Sequence, residues 1–274
     1  MKKIDFFSEK VVIVTGASSG IGKQLAVQLA RNGARLALAA RNEKKLEHVA
    51  KECHQRGAQA LVIPTDVTQQ LQCENLIKHT VEAFGSIDTL INNAGITMCE
   101  RFDEIHDLRV MEQIMGVNYF GSVYCTYYAL PYLKKTSGTI VGIASLTGKT
   151  GVPTRSFYAA SKHAMAGFFD SLRIELADSG VRVTMVYPGF VATEVRKRAL
   201  GTNSPSCERS TLNEPEVMTA ETCAQLILNA TAQGKRELVM TFRGRLGLWL
   251  KLIAPGLTDR IARRAIETIH KDSK

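Results

Sequence analysis

The chain has 274 residues, 45% of them hydrophobic and 22% charged, which is enough to bury a core and is typical of a globular domain rather than a disordered or fibrous one. Its net charge is +9, but no apolar run approaches the ~18 residues of a membrane span, and Asp5, Glu9 and Lys10 interrupt any signal-peptide core. The six cysteines and six histidines lack metal-ligand or redox spacing, so we expect reduced thiols, no metal site and a cytoplasmic location.

A glycine-rich turn follows the first predicted strand. The β-branched run 11–14 is typical of a buried parallel strand, and a helical pattern follows it over residues 23–32. Between them, residues 15–22 spell Thr-Gly-Ala-Ser-Ser-Gly-Ile-Gly. A strand, a glycine turn and a helix place the helix N-terminus against a phosphate, so the turn predicts a dinucleotide site; a turn without a ligand is the alternative. The residues assigned to this site are Gly16, Ser18, Ser19, Gly20, Ile21 and Gly22.

The second predicted strand, Arg35–Ala40, is followed by an arginine. In a dinucleotide site this strand end meets the adenosine ribose, where an acidic residue would bind the 2′-hydroxyl. Arg41 stands there instead, and a guanidinium pairs with phosphate oxygens, which favours the 2′-phosphate of NADP(H) over NAD(H). The alternative is that Arg41 only opens the next predicted helix, residues 42–56.

Two further predicted strands, residues 60–63 and 88–91, also lead into candidate cofactor residues. Asp66 follows the first of them, where it either binds the adenine amino group or caps a helix that begins nearby. The second leads into a short segment of small residues that would let the backbone pass close to a cofactor, although an ordinary Asn/Gly turn is the alternative. The residues assigned from this segment are Asn92, Ala94 and Gly95.

Three further segments contribute polar side chains. A long helical region, residues 108–133, has Asn118 in its interior, where an asparagine disturbs helix bonding and either stays solvated or marks a kink that exposes backbone to the site. The strand 139–144 leads to Ser145, at the edge where open α/β sheets place ligands. The helix predicted over residues 157–178 carries Tyr158 and Lys162, which lie on one face because they are four positions apart.

The Tyr158–Lys162 pair predicts proton transfer. A phenol and an ammonium ordinarily titrate near pH 10 and about 10.4, and a fixed cation beside the phenol lowers the pKa of the phenol. A tyrosine tuned in this way exchanges a proton near neutral pH, as the interconversion of a carbonyl and an alcohol requires. The alternative is an exposed helical pair with no catalytic role.

The repeating order of strands and helices predicts the fold. A sixth strand, residues 181–187, is followed by a further helix and a strand at 237–241. We predict one α/β domain over residues 1–243, a Rossmann-type doubly wound parallel sheet of about seven strands flanked by helices. The polar segment 196–215 is predicted to be a loop over the strand ends and a candidate substrate lid.

The remaining residues, 244–274, form a predicted basic extension. Residues 235–274 contain ten Lys/Arg and four Asp/Glu, and so carry +6 of the net charge of +9. Leu257, Ile261 and Ile269 form an apolar stripe opposite basic residues, which predicts an amphipathic helix. This helix either packs on the domain, covers a subunit contact or lies on a membrane surface. Binding to nucleic acid is disfavoured because no aromatic platform accompanies the charge.

Five motifs in this order resemble the short-chain dehydrogenase/reductase family, in its short single-domain branch. They are residues 15–22, residues 92–95, Asn118, Ser145 with Tyr158 and Lys162, and the pair Pro188 and Gly189. The resemblance spans roughly residues 8–241. The C-terminal part, around residues 254–257, is also similar to the dehydrogenase/reductases of the member 7B type, which are often membrane-associated and linked to lipid-like carbonyls.

The resemblance implies a role for each matching residue. Tyr158 would protonate a carbonyl oxygen that Ser145 also binds, while NADPH delivers hydride to the carbon. Lys162 would lower the pKa of Tyr158 and hold the nicotinamide ribose, and Asn118 would hold a water that connects Lys162 to solvent. The family's other signal for NADPH, a basic residue before the second glycine, is missing because Ser19 stands there. The remaining cofactor contacts that the resemblance implies are Asp66, Val67, Pro188, Gly189, Val191 and Thr193.

The sequence therefore favours an NADPH-dependent reductase that acts reversibly on a ketone or aldehyde, with an apolar or lipid-like molecule as the substrate. The alternative is a cofactor-binding regulatory or membrane-surface protein with little turnover. Residues 97–102, 146–155 and 196–215 would line the substrate pocket with apolar and basic side chains. Because the family commonly pairs subunits through the helices of Asn118 and Tyr158, the resemblance also implies a homodimer or homotetramer.

Overall fold

The computed structural model describes residues 5–193, 199–200 and 217–271, and seven of the strands in these ranges form one parallel sheet. In chain order the strands are β1 (Val11–Thr15), β2 (Arg35–Ala40), β3 (Ala60–Pro64), β4 (Thr89–Asn92), β5 (Thr139–Ile143), β6 (Arg182–Tyr187), β7 (Val191–Ala192), β8 (Met218–Thr219) and β9 (Glu237–Val239). The large sheet has the order β3-β2-β1-β4-β5-β6-β9, and β7 pairs with β8 separately. The chain changes direction across the sheet between β1 and β4, which is where sheets of this kind bind ligands at their carboxyl ends.

Helices cover both faces of the sheet. They are α1 (Gly20–Arg31), α2 (Glu43–His54), α3 (Gln70–Phe84), α4 (Arg109–Met115), α5 (Gly121–Thr136), α6 (Ser156–Glu175), α7 (Ala220–Ala232), α8 (Phe242–Ile253) and α9 (Pro255–Lys271). Apolar residues of α1, α2 and α7 share one buried cluster, whereas those of α3, α5 and α6 share another. The two clusters are the two halves of a doubly wound core.

The position of strand β1 in the sheet explains why residues 11–14 are continuously apolar. All five of its residues are buried. Val12 and Val14 belong to the cluster that contains α1, while Ile13 belongs to the cluster that contains α3 and α6. Successive side chains of a strand point to opposite faces, so a strand that is covered on both faces is apolar on both, and the polar side chain of Thr15 comes only at its carboxyl end.

The fold predicted from the sequence is confirmed, and the differences lie in element boundaries. The helix predicted from residue 23 begins at Gly20, inside the glycine turn. The helical region predicted without a break over residues 108–133 is α4 and α5, joined by the π-helical segment Gly116–Phe120. The loop predicted at 196–215 lies outside the described residues except for 199 and 200, and Leu200 forms a parallel bridge with Met98.

The C-terminal helices rest on the end of strand β5. The hydroxyl of Thr241 accepts a hydrogen bond from the Gly244 amide at 3.1 Å and so caps α8, which therefore runs across the predicted boundary at residue 243. Lys251 Nζ of α8 donates to the Lys149 carbonyl at 2.7 Å. A Cβ at Gly244 would lie 2.9 Å from Leu146 Cδ1, so helix and loop are in close contact. In the part of the chain that the structure describes, no helix is both long enough and apolar enough to cross a bilayer.

Candidate active site

The glycine turn after β1 fits its surroundings only because it lacks side chains. Gly16 has φ +65°, and a Cβ there would lie 2.8 Å from the Ala94 Cα. A Cβ at Gly22 would lie 2.2 Å from the Gly16 carbonyl oxygen, which no rearrangement of a flexible side chain can relieve. The start of α1 therefore packs directly against the turn, and its N-terminal amides face the crevice where a phosphate would be stabilised.

A buried threonine joins this turn to the segment after β4. Thr15 Oγ1 accepts hydrogen bonds from the amides of Asn93 and Ala94, each at 3.0 Å. The Asn93 side chain in turn donates to the Thr15 carbonyl at 2.8 Å. Asn92, which was assigned to the cofactor, instead directs its side chain to α5, where it donates to Thr126 Oγ1 at 3.0 Å. The side chain that faces the turn is therefore that of Asn93, and a contact of the Asn92 backbone with a cofactor remains a prediction.

A basic cavity of about 510 Å³ lies beside the turn. Its lining consists of Ser18, Ser19, Gly20, Lys23, Lys44, Lys45, His48, Val49, Ala192 and Thr193. Lys23 is paired with Glu52, whereas Lys44 lies on the exposed side of α2. Arg41 is exposed at the end of β2, one residue before Asn42 caps α2. Sequence reasoning singled out Arg41 but missed the two lysines that follow it, although a run of cations in the first turn of a helix was visible.

Asp66 closes a turn before α3. Its Oδ1 accepts from the Thr68 amide at 3.0 Å and from the Thr68 hydroxyl at 2.8 Å. Asp66 is not the cap of α3, because the helix begins at Gln70 with Gln69 as its N-terminal cap residue, and the Asp66 carboxylate instead bonds to Thr68 in the preceding turn. Val67 is buried against α5, since a Cβ at Gly121 would lie 2.7 Å from Val67 Cγ2. Contacts of Asp66 and Val67 with adenine remain predictions.

Asn118 lies at the centre of the π-helical segment and is fully buried. Its Oδ1 accepts from the Ile96 amide at 2.9 Å, while its Nδ2 donates to the Ile96 carbonyl at 3.0 Å and to Ser161 Oγ at 2.9 Å. The side chain thus fastens the segment after β4 to helix α6. Of the two alternatives for this interior asparagine, the solvated one is wrong, because Asn118 is buried; the segment around it is π-helical, and such segments are frequent at functional sites.

Lys162 is buried next to this asparagine. Its Nζ donates to the Ile143 carbonyl at 2.9 Å, and a Cβ at Gly95 would lie 3.6 Å from this Nζ and 3.3 Å from Asn118 Oδ1. Gly95 therefore keeps the space between the two polar groups open. Burial lowers the pKa of Lys162 to about 8, because a charge is disfavoured where water is excluded.

Tyr158 lies one turn before Lys162, and its pKa differs from the prediction. Burial raises the pKa of the phenol, and the Ser145 hydroxyl, the Arg155 charge and the Thr147 hydroxyl oppose the rise without cancelling it. The prediction that Lys162 lowers this pKa is not met, since the Lys162 ammonium lies 5.9 Å from the centroid of the Tyr158 ring and is bound to a carbonyl. The phenol consequently stays protonated at neutral pH.

Two polar groups beside the phenol complete the pocket. Thr147 Oγ1 is buried and has no hydrogen-bond partner among the described residues, while the Thr147 amide donates to Ser145 Oγ at 3.3 Å. Arg155, at the start of α6, donates to Thr97 Oγ1 at 2.7 Å. A buried hydroxyl without a partner is costly, so Thr147 is suited to bind a molecule in the pocket.

The segment after β6 closes the other side of the crevice. The Pro188 carbonyl accepts from the Leu146 amide at 3.1 Å, which joins this segment to the loop of Ser145. Val191 pairs with Met218 in the short sheet. A Cβ at Gly20 would lie 3.2 Å from Thr193 Cγ2, so Thr193 borders the glycine turn. Gly189 lies in the same segment, and a Cβ added at this position would lie 3.0 Å from Thr241 Cγ2.

The glycine turn after β1 and the Ser145 loop after β5, beside which the phenol of Tyr158 lies, are at the carboxyl edge of one parallel sheet, on either side of β4, and the space along this edge is the crevice. The turn leaves no room for a Cβ, cations border it, and an unpartnered hydroxyl lies at the far end. These features fit a dinucleotide, whose phosphates would meet the turn and whose redox ring would approach Tyr158. Among the described residues, no group of three His, Cys, Asp or Glu side chains is placed to hold a metal ion.

Comparison with known sequences gives a family and named relatives. The family model for short chain dehydrogenases matches residues 10–203. The 11-beta-hydroxysteroid dehydrogenase-like 4A of Arabidopsis thaliana is 38% identical over 260 residues, which cover 93% of this chain and 84% of the relative. The dehydrogenase/reductase SDR family protein 7-like of Dictyostelium discoideum is 38% identical over 259 residues, which cover 92% of this chain and 80% of the relative.

Comparison with solved structures gives the same architecture. A short chain dehydrogenase/reductase of Burkholderia phymatum in complex with NAD superposes with a TM-score of 0.84 at 25% identity, covering 94% of this chain and 96% of the other. An alcohol dehydrogenase of the archaeon Thermococcus sibiricus complexed with 5-hydroxy-NADP superposes with a TM-score of 0.72 at 28% identity, covering 81% and 90%. The two neighbours were thus solved with different dinucleotides.

Proposed function

The chain belongs to the short-chain dehydrogenase family, and we propose that this oxidoreductase is an NADPH-dependent carbonyl reductase. The observation that carries the proposal is the placement of the Tyr158 phenol beside the Ser145 hydroxyl, at the carboxyl edge of the sheet and one helical turn from the buried Lys162. That placement provides an acid, a second hydrogen-bond donor and a cation at one point of the crevice.

Tyr158 acts as the acid for the carbonyl oxygen. Because burial raises the pKa of its phenol, Tyr158 is protonated at neutral pH, which is the form that reduction of a carbonyl consumes. Ser145 donates a second hydrogen bond to the same oxygen and so fixes the substrate for attack. When bound, the nicotinamide supplies a hydride to the carbonyl carbon.

Lys162 and Asn118 support that acid. Lys162 Nζ donates to the Ile143 carbonyl. It would hold the nicotinamide ribose hydroxyls when the cofactor is bound and would return a proton toward Tyr158 after each turnover. Asn118 keeps the π-helical segment and helix α6 in register through Ser161, and would order a water that connects Lys162 to solvent. The pKa of Lys162 near 8 suits this relay, because a group that titrates near the working pH both gives and takes a proton.

The cofactor preference follows from the basic end of the crevice. Arg41 follows β2, and Lys44 and Lys45 line the cavity beside the glycine turn. Three cations at the adenosine end favour the additional charge of a 2′-phosphate, and so NADPH rather than NADH. Ser19 contributes no charge, so the preference depends on the end of β2 and the start of α2.

The substrate is proposed to be a hydrophobic ketone or aldehyde. Met98, Phe157 and Leu200 belong to an apolar cluster that includes the ring of Tyr158. Such a wall favours an apolar body next to the reacting carbonyl, while Arg155 and Thr147 offer polar contacts. The hydroxysteroid dehydrogenase names of the plant relatives are consistent with a substrate of this kind.

Subunit contacts and location belong to the same proposal. Phe120, at the end of the π-helical segment, is 44% exposed, Tyr127 on α5 is 70% exposed, and Ile174 on α6 is 75% exposed. We expect these side chains to be covered by a second copy in a homodimer or homotetramer. The cysteines that the structure describes are buried and form no disulfide with one another, as in a protein that works in the reducing cytoplasm.

The test is NADPH oxidation by the purified protein with a panel of carbonyls, from small diketones to steroids and long-chain ketolipids. NADH is measured in parallel. Turnover with NADPH and a weaker rate with NADH are expected, and the best carbonyl defines the substrate class. Tight cofactor binding without turnover of any carbonyl would instead favour a regulatory protein that only binds the cofactor.

A further inference from the structure

The C-terminal helices expose a continuous row of large apolar side chains. None of the twelve residues of α8 is buried. Trp249 is 66% exposed and Ile253 is 80% exposed. The row, called here the C-terminal apolar face, consists of Phe242, Leu246, Trp249, Leu252, Ile253, Leu257 and Ile261. Seven such side chains on two consecutive helices are more than the scattered exposed residues of an ordinary surface.

The domain itself cannot cover this face. Phe242, Leu246, Trp249 and Ile253 follow the spacing of one side of a helix. The opposite side of α8 is the one that contacts the domain, through Lys251 on the Lys149 carbonyl and through Gly244 against Leu146. A helix that is fixed by one side presents its other side outward.

The surroundings of the face are strongly basic. From residue 242 to residue 271 the sequence has seven Lys/Arg against two Asp/Glu, a net charge of +5. Arg243, Arg245 and Arg260 are exposed next to the apolar side chains. Two copies of this chain that met through the face would bring +5 against +5, whereas an anionic surface would neutralise it.

We propose that the C-terminal apolar face docks on an anionic lipid bilayer, with α8 and α9 lying in the interface and not crossing it. The apolar side chains enter the boundary between headgroups and acyl chains, and the flanking arginines meet lipid phosphates. The exposed tryptophan suits this depth, because an indole has an apolar body and one polar N–H. The exposed side chains of Phe120, Tyr127 and Ile174 lie on other helical segments, so docking and subunit pairing use different surfaces.

Docking would bring the active site to the membrane. Leu146, against which α8 packs, directly follows Ser145 in the chain. The loop of Ser145 would therefore lie behind α8, one helix away from the lipid surface, which gives a hydrophobic carbonyl a short path from the bilayer to Tyr158. This last step rests on the proposed reductase activity, whereas the docking itself does not.

The fluorescence of the full chain tests the docking, because Trp249 is its only tryptophan. Vesicles of phosphatidylcholine with phosphatidylserine should shift the emission to shorter wavelength, and lipids brominated in the acyl chain should quench it. Vesicles of phosphatidylcholine alone should bind at least tenfold more weakly, and added salt should weaken the binding to anionic vesicles. Co-flotation with the vesicles provides an independent measurement.

Matched variants distinguish binding through the C-terminal apolar face from nonspecific adsorption of the protein to lipid. Leu246→Ser with Ile253→Ser should weaken binding about tenfold or more, because two apolar side chains no longer enter the lipid. Leu71→Ser is the control, since Leu71 is 67% exposed on α3, away from the face, and should leave binding unchanged. Both variants should retain wild-type turnover of a water-soluble carbonyl.

Three results would overturn the proposal. The first is equal flotation of the wild type and the double variant. The second is an emission of Trp249 at short wavelength in a lipid-free monomer. That result would mean that the chain itself covers the C-terminal apolar face. The third is an oligomer that the double variant dissociates, which assigns the face to a second copy. Lipid binding in the absence of any turnover would leave the docking intact and would count against the proposed reductase alone.

Discussion

The two ends of the crevice differ in how far their polar and charged side chains are exposed to solvent. At the catalytic end Asn118 and Lys162 are buried, and the polar side-chain groups of these two residues have partners within the protein. At the adenosine end Arg41 and Lys44 are exposed to solvent. The first arrangement shifts pKa values and tolerates little change, whereas the second supplies charge that water and salt screen.

This contrast predicts how the two ends respond to substitution. Removing one atom at the catalytic end should change the rate of the chemical step or the stability of the protein by a large factor. Removing one cation at the adenosine end should change the affinity for one cofactor by a modest factor, and the change should depend on salt.

The largest expected effect is that of Tyr158→Phe. The phenol is the proposed acid, and loss of a positioned acid costs about 10³-fold in kcat. The affinity for NADPH should stay within about twofold, because the ring remains in place. Steady-state kinetics and NADPH titration measure the two quantities, with Tyr127→Phe on the exposed side of α5 as the control. A turnover within tenfold of the wild type would remove Tyr158 from the mechanism.

Lys162→Met should abolish most turnover and yet stabilise the protein at neutral pH. The ammonium has a pKa of 10.5 in the unfolded chain and about 8 in the folded one, a difference that corresponds to roughly 3 kcal/mol. The folded state binds fewer protons between these values, so the stability of the wild type rises with pH from about 8 to 10.5, and the methionine variant lacks this rise. At pH 7 the variant should gain about 1–3 kcal/mol, less what the lost bond to Ile143 contributes.

Urea unfolding of both proteins at pH 7 and at pH 10 checks the Lys162 prediction. The difference in the free energy of unfolding should narrow at the higher pH. Lys78→Met serves as the control, because the Lys78 side chain is 68% exposed and should show no such dependence. A difference that is independent of pH would mean that Lys162 is not charged and desolvated in the folded protein at pH 7.

The sequence indicated which residues form the catalytic end but not how their pKa values are shifted. Spacing singled out Tyr158 and Lys162 on one helical face and Ser145 at a strand end, the resemblance gave Asn118 its role, and the catalytic roles of all four remain predictions. The direction of the pKa shift of Tyr158 was not predicted, because the sequence does not give the extent of burial that raises this pKa. The sheet itself followed from continuous apolar runs, which leave a strand no exposed face.

The adenosine end was predicted less completely. Arg41 was identified because it follows a strand, but Lys44 and Lys45 looked like ordinary solvated residues of α2 until the cavity placed them beside the glycine turn. The side-chain orientation of Asn92 and Asn93 was also beyond the sequence, since adjacent residues at a strand end face opposite ways. The packing of the folded chain, and not a sequence motif, determines where these side chains point.

At the adenosine end, Arg41→Ala should raise the KM for NADPH about tenfold and leave that for NADH nearly unchanged. A bidentate guanidinium–phosphate contact is lost, and only the phosphorylated cofactor makes it. The ratio of the two KM values, measured at low and high salt, is the readout, and the effect should shrink as salt rises. Lys78→Ala controls for net charge. Equal changes for the two cofactors would place the 2′-phosphate elsewhere.

The smallest expected effect, and the sharpest probe of the catalytic end, is that of Thr147→Val. The substitution keeps the shape and removes a buried hydroxyl that has no partner among the described residues, so the protein should be as stable or slightly more stable. The Thr147 hydroxyl also opposes the rise in the pKa of Tyr158, and its loss should move the alkaline limb of the kcat profile to higher pH. If Thr147 binds the substrate, KM should rise about threefold to tenfold for carbonyls that carry a second oxygen and hardly at all for simple ketones. Thr147→Ser should restore both properties, because it returns the hydroxyl without the methyl group; a valine variant that lowers stability with no change in KM or pH profile would show that the hydroxyl serves packing alone.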